Sequence, residues 1–172
     1  RREVVGNAPP AFEFIKLGRI DAFIATNDTL FSLQSDKQPV SSFSVDEFAP
    51  SPGQVYMVSK RALDAQAETI AKFMRGCYAA IGDMIAKRAD LAPVIASMTS
   101  EFDIVEAKRP DKGVTVLANA VTQTFEPVYR DKFASKEGPW VSAVDLMVKA
   151  KIVPPLDPKS LYNDSARKLA FG

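Results

Sequence analysis

Between Leu63 and Arg88 the chain repeats one pattern. Leu63, Ala67, Ile70, Met74, Cys77, Ile81, Met84 and Arg88 are separated by alternate steps of four and three. That spacing places them all on one side of an α-helix, and only the last is polar. Asp64, Glu68, Lys72, Arg75 and Asp83 fall off the stripe, on the side left for water. A strand alternates every second residue and would scatter these apolar positions over both faces. This stretch is therefore predicted to be a long amphipathic helix, and whatever else the chain forms must pack against it.

Helical patterning continues beyond it. Val114, Leu117, Val121, Phe125 and Val128 make a second stripe, which Pro127 ends or kinks because it lacks an N–H. Trp140, Val144, Met147 and Val148 make a third, and Leu91–Ser97 fits a short helix. Asp157-Pro158 supplies a cap and a first-turn proline for a last helix over Pro158–Arg167. The first sixty residues read differently. Glu3–Gly6, Ile20–Ala25, Val40–Phe43 and Gln54–Ser59 are short apolar or alternating runs with strand character. Between them, Pro9–Leu17 reads as a helix stopped by Gly18, and Asp28–Gln34 as another. Strand, helix, strand, helix, strand is the βαβ order of a parallel sheet, so the expected fold class is α/β with a helical C-terminal region. A parallel sheet needs both faces covered and more strands than these. Further strands are accordingly expected ahead of Arg1, the alternative being a small α/β domain complete in itself.

Composition narrows the chemistry. The 172 residues contain no histidine, and Cys77 is the only cysteine. Histidine-based triads, cysteine–histidine dyads and His/Cys zinc sites are thereby excluded from this stretch, and no intrachain disulfide can form. Twenty-two basic against 21 acidic residues leave a net charge of +1, which gives no electrostatic footprint for nucleic acid or an anionic membrane. The longest apolar run, Cys77 to Ile81, is far short of a membrane span. Arg1-Arg2 is followed by Glu3 and no apolar core, so it does not read as an export signal. Glu101, Asp103 and Glu106 lack the spacing of a metal loop.

The order of segments resembles a known family. Val4-Val5-Gly6-Asn7-Ala8-Pro9-Pro10, then Ala11–Leu17 and Gly18-Arg19-Ile20-Asp21-Ala22, is similar to the corresponding helix and Gly-x-Ile-Asp-Ala stretch of type II periplasmic solute-binding proteins. Val55-Tyr56-Met57-Val58-Ser59-Lys60 resembles the strand that returns to their first lobe, and Ile70–Arg75 the helix after it. Gly138-Pro139-Trp140, Ile152-Val153, Pro155-Leu156-Asp157 and Ser160–Asn163 resemble their C-terminus. The subgroup it looks most like binds alkanesulfonates, nitrate, taurine or thiamine pyrimidines for ABC importers.

The resemblance implies a two-lobed clamshell that is incomplete here. Residues 1–53 would finish the second lobe through βαβ units. Residues 54–172 would supply the return crossing strand and the helices bracing the first lobe. It implies capture of a small organic or inorganic solute between lobes, docking on the transmembrane subunits of a permease, and a periplasmic or lipid-anchored location. The anchor or signal would lie upstream. The hinge would fall near Asp46–Gln54. No catalysis, cofactor, metal or nucleic acid is implied. Two alternatives stay open: an enzyme on the same fold, such as a cofactor-biosynthesis lyase or a pyrimidine-synthesis-like protein, and a sensor domain. Pyrimidine chemistry of that kind uses a histidine and clustered cysteines, which this stretch lacks.

Ligands of open α/β sheets sit beyond the carboxyl ends of strands. Two such places are visible. Asn7, Ala8 and Pro9 lie where the first helix starts, so free N–H groups there would favour an anion or carbonyl, or serve only as a cap. Thr26, Asn27 and Asp28 follow the Ile20–Ala25 run. Asp28 could accept from an amine or amidine, with Thr26 and Asn27 beside it, or Asn27 or Asp28 could cap the next helix. A carboxylate there disfavours a second negative charge nearby, which leans toward a neutral or cationic solute. Gln54, near the hinge, is a further candidate, while Tyr56, Trp140 and Cys77 read as packing residues.

Overall fold

The structure is a computed structural model that describes residues 8–104 and 108–172. Eight α-helices follow one another among these: α1 (Ala8–Lys16), α2 (Asn27–Ser35), α3 (Lys60–Ala86), α4 (Ala92–Glu101), α5 (Pro110–Ala120), α6 (Glu126–Arg130), α7 (Glu137–Lys149) and α8 (Ser165–Phe171). Short 3-10 turns occupy Val45–Glu47 and Pro158–Leu161, and a wider π turn spans Val121–Phe125. No described helix is long and apolar enough to cross a membrane.

The chain divides into two units. One holds Arg1–Ser42 and Asp90–Ala120, the other Phe43–Ala89 and Val121–Gly172. In the first, α5 packs against both α2 and α4. Its core is Ala11, Phe12, Phe31, Leu91, Ile95 and Leu117. In the second, α3 packs against α8, α6 and the π turn, and α7 packs against the 3-10 turn at Pro158–Leu161. Its buried apolar residues are Ala71, Met74, Val121, Val144 and Ala166.

Local signals explain the helix ends. The two prolines of α1 fall in its first turn, where no N–H is missed. Gly18, at φ +65°, closes that helix: Arg19 N–H donates to Phe14 O and Gly18 N–H to Ile15 O, both at 2.9 Å. The side chain of Ser59 accepts from Ala62 N–H at 3.1 Å and starts α3. Pro127 lacks the N–H that Gln123 O would use, so the next donor is five residues on, the spacing of the π turn just before α6. The expected helix over Pro158–Arg167 is two pieces. Asp157 caps only the short turn, through Lys159 N–H, and Asn163 accepts from Ser165 N–H at 2.8 Å to open α8.

The α/β class, the parallel-dominated sheet and the incomplete type II clamshell are overturned: among the described residues there is no strand. Ile20–Ala25, Val40–Phe43 and Gln54–Ser59 all lie outside regular structure, and Glu3–Gly6 lies outside the described residues. Ile24 is 91% exposed and Met57 88%. Strand propensity mostly expresses packing against cross-strand neighbours, so a run of Ile, Val or Tyr has little preference of its own. A helix closes its hydrogen bonds within itself, whereas each of these runs needs a partner. None of them has one among the described residues.

Burial is correspondingly thin. Phe31, Leu91 and Val121 are the only large side chains described with under 2% or about 2% exposure. The chain exposes 12511 Å². Two separate globules of these unit sizes would expose about 10,000 Å². The surplus includes Phe43, Phe48, Val55, Tyr56, Met57, Val58 and Phe73, all exposed. The α3 stripe shows the same deficit. Met74 is buried, but Leu63, Ala67, Ile70, Cys77, Ile81 and Met84 are only half-buried, and Arg88 lies beyond the helix, paired with Glu126 at 2.7 Å.

Candidate functional site

The start of α2 is the best-defined of the sequence candidates. Thr26 holds the N-cap position with extended backbone (φ −86°, ψ 163°), and its carbonyl accepts from Leu30 N–H at 3.3 Å. Its side chain makes no capping bond. Asn27 and Asp28 are the first two helical residues, and both are exposed. Neither side chain caps the helix or pairs with a cation among the described residues, so the expected capping role of Asn27 or Asp28 is not what holds this helix start. Asp28 instead sets a negative charge beside the positive end of the helix dipole, a favourable arrangement worth about 0.3–1 kcal/mol. That charge already answers the dipole, so the site offers little to a second anion.

The other candidates are placed less closely. Ala8 and Pro9 open α1, and Asn7 lies outside the described residues. Gln54 is exposed, outside regular structure, and belongs to the second unit. Thr26, Asn27 and Asp28 are thus brought together only as chain neighbours.

Sequence reading missed a charge cluster in the first unit. Asp36, just after α2, accepts from Lys112 Nζ at 2.6 Å and from Arg109 Nη1 at 2.9 Å. Lys112 is 15% exposed and Asp36 25%. The Lys112 hydrogen bond holds the Asp36 carboxyl below its ordinary range, with Arg109 adding to the effect and burial opposing it. The cluster ties the end of α2 to the beginning of α5. Lys108 and Arg109 are themselves largely exposed, at 61% and 68%; Arg109 reaches Asp36, and Lys108 pairs with Asp103 at 2.9 Å. Nothing in the local sequence signals a pairing across 73 residues.

The second unit gathers aromatic rings. Tyr78 stacks on Tyr129 with centroids 4.1 Å apart, and both Phe133 and Phe171 reach Tyr78. Tyr56 meets Phe73 and Phe133 edge-on at 5.7 and 5.9 Å. Burial pushes the Tyr56 phenol up, with the neighbouring Cys77 thiol adding to the shift. Burial likewise pushes the Tyr78 phenol up, with the neighbouring Tyr129 hydroxyl adding to the shift. Beside Tyr56 runs a groove of about 350 Å³, lined chiefly by Met57, Val58, Ile70, Phe73 and Met74. Cys77, expected to be buried, is half-buried against the Tyr56 hydroxyl. Trp140 stacks on Tyr162 at 5.5 Å, in keeping with its reading as a packing residue.

Chemically, these arrangements offer recognition groups and packing. Among the described residues, no three histidine, cysteine, aspartate or glutamate side chains gather where they could hold a metal ion. Comparison with family models, curated proteins and solved structures finds no match to this chain.

Proposed function

We propose that this chain serves the capture of a small solute outside the cytoplasmic membrane, for delivery to the transmembrane subunits of an ABC importer. Two things support the reading. The ordered segments from Val4 to Asn163 resemble solute-binding proteins of the alkanesulfonate, nitrate, taurine and thiamine-pyrimidine group. At residue level the start of α2 carries it: Thr26, Asn27 and Asp28 are exposed polar side chains committed to no partner among the described residues. The reading makes no use of a two-lobed sheet, which the described residues lack.

On this reading Asp28 accepts from a donor on the solute, and Thr26 and Asn27 fix its orientation. A solute that is neutral or cationic at that end is favoured, because an anion would sit a few ångströms from the carboxylate. Binding does no chemistry. It shifts the population toward the state that docks on the permease, and only by the difference in affinity between the two states.

The test is a thermal-shift and calorimetry panel on the protein at its native full length. The probes are taurine, nitrate, an aminopyrimidine, spermidine and benzoate. A binder present at a hundredfold excess over its Kd stabilises by about 2.7 kcal/mol, a rise of about 5 °C or more. Asp28→Ala is expected to weaken binding of that probe at least tenfold and to lower the ligand-free melting temperature by no more than about 4 °C, the share of its helix-dipole contribution. No response to any of the five probes would overturn the capture reading. Unchanged affinity in the variant would remove Asp28 from the site.

A further inference from the structure

We draw no further inference here: the strongest candidate, the apolar groove beside α3 lined by Tyr56, Met57, Val58, Ile70, Phe73 and Met74, carries nothing because nothing in the structure shows what covers it.

Discussion

The two units are built from the same kind of element and both carry ion pairs, Asp36 with Lys112 in the first and Arg88 with Glu126 and Lys136 with Asp131 in the second, but among the described residues only the second gathers a cluster of rings. In the first, α2 and α5 meet around Phe31 and Leu117, and the Asp36 cluster joins their ends. In the second, the ring contacts Tyr56–Phe73, Tyr56–Phe133 and Tyr78–Tyr129, with Phe171 beside them, fill space that the sparse aliphatic core leaves open. Charged hydrogen bonds near a surface are screened by salt and lost on protonation. Ring stacking and apolar burial are neither screened by salt nor lost on protonation. The charge cluster and the ring cluster should therefore answer differently to the same change of solvent, and substitutions should show what each contributes.

The largest effects are expected from removing one ring in each unit. Phe31 is 2% exposed, so Phe31→Ala should lower stability by about 3–4 kcal/mol in urea unfolding of the full chain. Tyr78→Ala should lose somewhat less, about 2–3 kcal/mol, since Tyr78 is half-buried, and the loss should not shrink at high salt. A loss under 1 kcal/mol for Tyr78→Ala would mean that the rings merely lie together and do not hold the second unit.

A smaller effect isolates the charge cluster. Asp36→Asn should cost about 1 kcal/mol at pH 7, and the loss should shrink in 1 M salt. The pH dependence has a definite sign. The folded Asp36 pKa lies below its unfolded value of about 3.9, so its contribution is complete above that value. It disappears as the pH falls through the folded value. The difference in urea midpoint between the parent and Asp36→Asn should be constant above about pH 5 and close at lower pH. A difference independent of both pH and salt would assign the effect to packing.

The smallest expected effect concerns helix ends. Lys37 and Lys151 take up left-handed backbone, at φ 52° and 58°, in the positions that Gly18 fills after α1. Gln38 N–H donates to Leu33 O at 3.0 Å, and Ile152 N–H to Met147 O at 2.9 Å, the same closure as at Gly18. Lys37→Gly and Lys151→Gly should each stabilise by about 0.5 kcal/mol, because relief of side-chain strain slightly exceeds the added freedom of the unfolded chain. Thermal melts of the two variants check this, and lower melting temperatures would contradict it.

These positions show what was legible in the sequence. Gly18 announces a helix end because glycine is the residue that reaches positive φ without strain. Lys37 and Lys151 give no such notice, since tertiary context alone makes a lysine adopt that geometry. The α3 stripe was readable because helical spacing is a local property, and α2 and α7 were readable for the same reason. Ile20–Ala25 and Gln54–Ser59 misled because β-branched and aromatic residues indicate a strand only when a neighbouring strand exists. Asp36 with Lys112 was invisible, because nothing local relates residues 76 apart. At the candidate site the sequence placed Thr26, Asn27 and Asp28 at a helix start, where they are, but also at the end of a strand, Ile20–Ala25, that does not form. It could not tell that their side chains would leave the capping bonds unmade.

Among the described residues the runs with strand character find no partner, and packing is between helices. Backbone chemical shifts and cross-strand contacts in nuclear magnetic resonance test it most directly, on the full chain labelled uniformly. Helical shifts are expected across Lys60–Ala86 except at Gln66, where φ of −135° breaks the helix, with no cross-strand contacts from residues 20–25 or 54–59. Strand-type shifts with a ladder of cross-strand contacts from either segment would contradict it.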